Sequence, residues 1–210
     1  MKKQMLCILM IFFLSLSATG LLFAQSPGKG NVKQNKVCLR SLAGTFSKGD
    51  IVRMIREKGF HHPYDQSSWQ LSPTVKGNVQ HEYVQKTEAG KKVVSDHAAG
   101  IMWQQSGSSQ TKNWAEAHEY VQEMNKGSYA GFSDWRLPTI EELASLLESV
   151  KKNGDLYIDP VFDPAQQWCW SGDKMKEDAA KAWRVHFQLG GVDGYRIKRN
   201  ITYVRAVRTL

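Results

Sequence analysis

Apolar residues at helical spacing after Pro138 predict a helix near the middle of the chain. Pro138 disfavours helical geometry at Leu137. Thr139 is followed three residues later by Glu142, the pattern of a capping box, so the helix is expected to begin at Thr139. A stop signal follows at Asn153-Gly154. The apolar stripe between these signals consists of Leu143, Leu146, Leu147 and Val150.

Two other segments combine a capping residue with an apolar stripe at helical spacing. Ser47 precedes a short stripe that ends at Gly59, and Asn113 precedes a longer one. The stripes consist of Ile51, Met54 and Ile55 in the first segment, and of Trp114, Ala117, Tyr120, Val121 and Met124 in the second. We expect the first helix to dock on the domain and the second to pack beneath a sheet. His118 is interpreted as a neutral surface or edge histidine rather than a base.

Short apolar pairs separated by polar turns predict β-structure ahead of the second helix. The pairs Tyr83-Val84 and Val93-Val94 flank a charged turn, which favours a strand or hairpin leading into the domain. Residues 96–100 form the next turn, and Ile101-Met102-Trp103 is the returning strand. The sequence therefore predicts a β-hairpin here.

The last third of the chain alternates in the manner of half-buried strands. Residues 168–170 and 182–187 predict two strands separated by a polar loop from Ser171 to Lys181. Residues 190–191 are both glycine and mark a turn. The closing segment 203–207 has apolar residues on both faces, so we predict that it is a central strand.

The chain begins with two lysines and an apolar run from Met5 to Phe23, which is typical of a signal peptide ending at Ala24. A run of this length also suits an uncleaved membrane anchor, so that alternative stays open. The predicted organisation is a signal peptide over 1–24, a polar tether over 25–37, an extension with a short helix over 38–80, and the main domain over 81–210. These assignments predict a periplasmic or secreted bacterial protein.

The charge is basic, with a formal net charge of +8 that becomes +6 when Lys2 and Lys3 are removed. A basic surface favours polyanions, although it can equally serve solubility alone. Seven cations of the last third are candidate binding residues: Lys174, Lys176, Lys181, Arg184, Arg196, Lys198 and Arg199.

Outside the predicted signal peptide the cysteines are Cys38 and Cys169, an even number in an oxidising compartment. One disulfide between them and two buried free thiols are both open.

The sequence offers no catalytic or metal constellation. Glu141 and Glu142 diverge by about 100° on a helix, so they cannot act as a catalytic pair. His61-His62-Pro63 is interpreted as an ordinary loop. Three nearby aspartates (Asp155, Asp159 and Asp163) lack the spacing of a calcium loop. We predict no metal, no cofactor and no nucleic-acid partner.

Five motifs carry a resemblance to a known family. They are Gly100-Ile101-Met102-Trp103-Gln104, the segments 114–120 and 130–143, Trp168-Cys169-Trp170-Ser171, and the closing segment 203–208. In this order they resemble the Lcl C-terminal domain family, a bacterial extracytoplasmic module, from about Val93 to the end. The layout is more distantly similar to formylglycine-generating enzymes, which have a variant of the C-type lectin fold.

The resemblance implies an α+β, C-type-lectin-like fold, with two or three helices packed on a small, mostly antiparallel twisted sheet and long loops. Its motif residues are expected to be structural: Trp103, Trp114, Asp134, Trp135, Arg136, Leu137, Pro138, Thr139, Glu142 and Trp170. Arg136 in particular is predicted to bridge to a carboxylate such as Asp134 or Glu142.

The family's name comes from an adhesin that binds sulfated polysaccharides. The resemblance therefore implies an exported, non-catalytic module that binds an acidic polysaccharide or an envelope protein, with membrane contact only through an uncleaved leader. A purely structural envelope component is the alternative. The chemistry of formylglycine-generating enzymes needs a cysteine pair near the C-terminus, where this chain has Cys169 alone. The oligomeric state stays open.

Overall fold

A computed structural model of the protein describes residues 37–65, 77 and 79–210. The predicted signal peptide and all of the predicted tether except Val37 lie outside the described residues. Within the described part, no helix is both long and apolar enough to cross a bilayer.

Three helices and eight strands make up the described fold. The helices are α1 (Lys48–Lys58), α2 (Trp114–Lys126) and α3 (Ile140–Ser145). The strands are β1 (Thr45–Phe46), β2 (Tyr83–Glu88), β3 (Lys91–Asp96), β4 (Ile101–Gln104), β5 (Trp168–Met175), β6 (Lys181–His186), β7 (Gly191–Arg196) and β8 (Val207–Thr209).

The strands form two four-stranded sheets, in the orders β1-β5-β6-β7 and β2-β3-β4-β8. The β1–β5 pair is parallel, and the other pairs within these sheets are antiparallel. The predicted α+β class with mostly antiparallel strands is therefore confirmed. The hairpin predicted around the turn at residues 96–100 is present as β3 and β4.

All three predicted helix starts are confirmed, because each begins with a complete capping box. The side chains of Ser47, Asn113 and Thr139 accept a hydrogen bond from the backbone N–H three residues later. The acidic side chain at that position accepts one from the backbone N–H of the capping residue. At its other end α1 stops at Gly59, whose φ of 62° is favourable for glycine.

The predicted length of α3 is wrong, because the helix ends at Ser145 and does not continue to Val150. After Ser145 the backbone tightens, and Leu146 and Leu147 bond to carbonyls three residues back. The N–H of Glu148 then bonds to Tyr157, which draws the chain away from the helix axis. Val150 is consequently 57% exposed.

The predicted loop from Ser171 to Lys181 is also wrong, because β5 continues through Met175. The polar residues Ser171 and Asp173 hid the strand, yet they are buried and bonded: the Ser171 hydroxyl donates to the Trp183 carbonyl at 2.7 Å, and Asp173 is 0% exposed. Their register shifts between Trp170 and Lys174, which is a bulge of the kind that obscures strict alternation.

The closing segment is not a central strand, since β8 pairs with β4 at the end of a sheet. Residues 202–207, which we call the closing strap, instead run between the sheets. Tyr203 exchanges backbone hydrogen bonds with Trp168 and Trp170 of one sheet, and Ala206 accepts one from Gln104 of the other. Both faces are covered as predicted, because Val204 and Ala206 on one face and Arg205 and Val207 on the other are each 0% exposed.

Arg205 shows how deeply the strap is buried, with 0% exposure. Its guanidinium donates to the backbone carbonyls of Gln104 and Gln105 and, at 2.8 Å, to the side chain of Gln166. The strap is therefore held by side-chain as well as backbone bonds.

The apolar core consists of two clusters. The larger cluster includes residues of α1 and α3 together with Trp103 of β4 and Trp183 of β6. The smaller one packs α2 against Trp170 and Ala206, as predicted for a helix beneath a sheet. Ile51 and Ile55 of α1 are 1% and 0% exposed, so the predicted extension is part of the same core.

Candidate functional site

Four of the seven candidate cations meet where β6 begins and β7 ends. Lys181 lies directly opposite Arg196 in the strand register. Lys181, Arg196 and Arg199 line a hollow of about 420 Å³ together with Gly194 and Tyr195. An adjoining hollow of about 390 Å³ is lined by Asp178, Ala180, Arg196, Lys198 and Arg199. We call Lys181, Arg196, Lys198 and Arg199 the basic rim.

The backbone positions the rim through a short turn. Ile197 bonds to the Ala180 carbonyl, and the N–H of Arg199 bonds to the Arg196 carbonyl at 3.1 Å. Arg196, Lys198 and Arg199 are exposed and form no ion pair with a carboxylate of the described residues. Lys181 is half-buried and lies 3.4 Å from Asp178. Most of the rim's charge is therefore available to a ligand.

Lys174 and Lys176 are exposed but stand apart from the hollows. Lys174 is opposite Ala182, so its side chain projects from the other face of the sheet than Lys181. Its ammonium lies 5.2 Å from the centre of the Trp114 ring. The pKa of the neighbouring His118 is lowered mainly by burial and also by the charge of Lys174. Lys176 bonds through its backbone to Phe46 of β1.

Arg184 is not available to a ligand, which corrects its place among the candidate residues. It is 3% exposed, and its guanidinium binds both carboxylate oxygens of Asp193, at 2.7 and 3.1 Å. The guanidinium carbon lies 4.3 Å from the Trp168 ring centre and 3.6 Å from that of Tyr195. Arg184 therefore stiffens the sheet beneath the rim.

The motif segment 130–143, which we call the signature run, is held together by side-chain ion pairs and hydrogen bonds. Of the two carboxylates expected for Arg136, the structure selects Glu142, with bonds of 2.7 and 2.6 Å. Glu142 also accepts from the N–H of Thr139 at 2.8 Å. Asp134 instead pairs with Arg208 at 2.7 Å.

Trp135 of this run is 2% exposed and is held through its backbone. Its N–H and carbonyl both bond to the side chain of Asn125, each at 2.8 Å. Asn125 had no distinguishing sequence signal, because an asparagine near a helix end is usually solvated. The remaining motif tryptophans are packed as well, with Trp103 and Trp170 at 0% exposure and the Trp114 indole donating to the Ser171 carbonyl.

Of the two alternatives left open for the cysteines, the disulfide does not form, and only one of the two free thiols is buried. Cys38 is exposed, whereas Cys169 is fully buried with its thiol in the core, so the two remain free thiols. Burial raises the pKa of the Cys169 thiol to about 11, which makes it a poor nucleophile at neutral pH.

The aspartates considered for calcium are used as local structural groups. Asp159 and Asp163 accept from the backbone N–H two residues later, each at 2.8 Å, and Asp155 lies 3.5 Å from Lys151. His61 accepts from Gly77 at 3.1 Å. Among the described residues, no group of three histidine, cysteine or acidic side chains is arranged to hold a metal.

Residues 92–208, more than half of the chain, match the family model described as the Lcl C-terminal domain. No curated protein matches the chain. The matched segment includes α2, α3, β4 to β7, all but the first residue of β3 and all but the last residue of β8, together with the whole basic rim.

Proposed function

This chain belongs to the Lcl C-terminal domain family, and we propose that it is an exported, non-catalytic binding module that recognises an acidic glycan through the basic rim. The signal-peptide pattern of residues 1–24 supports export to the periplasm or beyond. We also propose that the fold is C-type-lectin-like, as the resemblance implies.

One observation carries the proposal, namely that three of the four rim cations form no ion pair with a carboxylate of the described residues, Lys181 being the exception. Elsewhere in the fold, arginines such as Arg136 and Arg208 are each held by a carboxylate. Arg196, Lys198 and Arg199 form no such pair among the described residues, although they follow one another within a single turn. Sulfate or carboxylate groups of a ligand would supply the missing charge.

The strand register adds a second argument. Lys181 and Arg196 face each other across β6 and β7, and like charges placed directly opposite are destabilising in a sheet. Asp178 offsets part of this repulsion from Lys181 at 3.4 Å. A bound polyanion would offset the remaining repulsion between Lys181 and Arg196. Ligand binding would therefore stabilise the sheet at this position.

Contacts between exposed cations and anions are screened beyond about 8 Å at physiological salt, so the proposed binding must weaken as salt rises. The test is retention of the purified chain on a heparin resin, eluted with a salt gradient. Replacing Arg196, Lys198 and Arg199 with glutamine should move elution to lower salt and leave the melting temperature unchanged. A glycan array read at low and moderate salt would then identify the preferred acidic sugar.

A matched control removes three cations elsewhere. Lys126, Lys151 and Lys152 each lie within 3.5 Å of an acidic side chain, and their glutamine variant loses the same formal charge. This variant should elute close to the parent chain. Equal shifts for both triple variants would show that net charge alone causes retention. An absence of retention by the parent at low salt would favour a structural or protein-binding role.

A further inference from the structure

β7 is the last strand of its sheet, and β6 lies on its inner side. Two bonds show which way its peptide groups point. The N–H of Val192 donates outward to the His62 ring at 3.3 Å. The carbonyl of Trp183, opposite Gly194, accepts from Ser171 on the β5 side. Because the pattern repeats every second residue, the peptide groups of Gly194 and Arg196 also point away from β6.

Three of these outward groups lack a hydrogen-bond partner among the described residues: the N–H and carbonyl of Gly194 and the N–H of Arg196. The Arg196 carbonyl is occupied by Arg199 at 3.1 Å. Gly194 has no side chain to shield the edge, and a Cβ built there would lie 2.6 Å from the Met175 sulfur on the inner face. Toward the described residues the edge is therefore bare but short, and it ends at His62 on one side and at the turn on the other.

The bare edge borders the hollow of about 420 Å³. Its lining contains three cations, Lys181, Arg196 and Arg199, and no carboxylate. A segment that pairs with the edge would place its side chains beside these cations.

We propose that the outer edge of β7 from Gly194 to Arg196 binds a short, extended, acidic peptide segment of a partner protein by strand addition. A peptide presents an N–H and a carbonyl on the same side of one residue, which matches the donor and acceptor of Gly194. Three backbone hydrogen bonds give weak binding on their own, so acidic side chains beside the cations are needed for affinity and selectivity. The interaction goes beyond the proposed glycan binding, because it depends on backbone groups that a glycan does not need.

The test uses the full chain and a fluorescein-labelled peptide, Thr-Glu-Val-Glu-Thr, with binding followed by fluorescence anisotropy at low salt. Two further peptides carry an N-methyl group either on the valine or on both glutamates, which leaves their charge unchanged. In an added strand, only the backbone N–H groups of alternate residues point toward the edge of β7. One of the two methylated peptides should therefore lose binding at least tenfold, while the other binds like the parent peptide. Equal binding of all three peptides, equal loss by both methylated peptides, or no binding by the parent peptide would each overturn the proposal.

Two substitutions separate the backbone from the charge. Arg196→Gln removes the cation and keeps the N–H, whereas Arg196→Pro removes both, and proline is tolerated on a strand edge. We expect Arg196→Pro to bind the peptide at least fivefold more weakly than Arg196→Gln, with equal retention of the two variants on heparin. Equal peptide affinities would contradict strand addition and leave the glycan proposal standing. If Arg196→Pro lowers the melting temperature, the methylated peptides decide the question with the unmodified chain.

Discussion

Arg40 and Asp173 are 133 positions apart in the chain and are joined by two hydrogen bonds of 3.0 and 2.7 Å. Asp173 is fully buried in β5 and also accepts from the N–H groups of Gly44 and Ile140, at 2.6 and 2.7 Å. One carboxylate thus connects the N-terminal extension, the start of α3 and the sheet. The extension lies outside the family match, yet it completes the buried polar network of the domain.

Replacing Arg40 with methionine should destabilise the domain by about 2–3 kcal/mol. This loss of stability is smaller than that expected for breaking a fully buried ion pair, because the Arg40 side chain is 25% exposed and Asp173 keeps two backbone donors. Urea unfolding followed by tryptophan fluorescence measures it. Arg53→Met is the matched control, since the exposed Arg53 pairs only with a neighbouring turn of its own helix, at Asp50. Equal stability of the two variants would show that the Arg40 contact does not hold the extension.

Replacing Trp135 with alanine should cost about 3–5 kcal/mol, the range for removing a buried aromatic side chain. The indole also donates to the Tyr129 carbonyl at 2.9 Å, so this acceptor is left without that donor. Thermal melts of the parent and the variant give the difference. Phe132→Ala, three residues away and only partly buried, should cost clearly less. A Trp135 variant that melts like the parent would contradict the assignment of the signature run to the core.

Stability should fall between pH 6.5 and about pH 4 because of His62. The pKa of His62 is lowered from 6.5 to about 4, chiefly by burial and to a smaller extent by the nearby His186. In this window the unfolded chain binds a proton that the folded chain does not, so acidification favours unfolding; above pH 6.5 the effect is absent. We expect His62→Gln to reduce the loss between pH 7.5 and pH 4.5 by about 2–3 kcal/mol.

Chemical unfolding at the two pH values, for the parent and the variant, gives that difference. Carboxylates common to both chains cancel in the comparison. Parallel pH profiles for parent and variant would show that His62 is not the group that senses acidification.

Export should expose a new N-terminus near Gln25. The two lysines and the apolar run that follows predict cleavage after Ala24. Mass spectrometry of the envelope and medium fractions of expressing cells measures the mature end. A chain that keeps Met1 in the cytosol would contradict the prediction, and one that keeps Met1 in the membrane fraction would support the anchor alternative.

The sequence predicted local features well because they depend on a few neighbouring residues. Each capping box needs two side chains three positions apart, and all three begin a helix in the structure. Features that depend on distant residues were not predictable. The end of α3 is set by the bond between Glu148 and Tyr157, and the burial of Ser171 is set by the carbonyl of Trp183.

In the candidate site, too, local features were predictable and features that depend on distant residues were not. Arg196 at the end of β7 and Lys198 and Arg199 after it are exposed, as cations at such positions usually are. Arg184 carries the same charge but alternates onto the covered face of β6, where Asp193 and two aromatic rings enclose it. Gly194 had no chemical signal at all, since its contribution is a bare peptide group whose direction only the strand register reveals.

The closing strap also determines when the protein can finish folding. Its residue Ala206 binds Gln104, 102 positions earlier, and its Tyr203 binds the second sheet. Contacts between residues so far apart in the chain slow folding, because closing the long intervening loop costs entropy before the contact forms. Each sheet also receives a strand late in the chain, because β7 ends at Arg196 and β8 ends at Thr209. The strap can therefore join the two sheets only when nearly the whole domain has been synthesised.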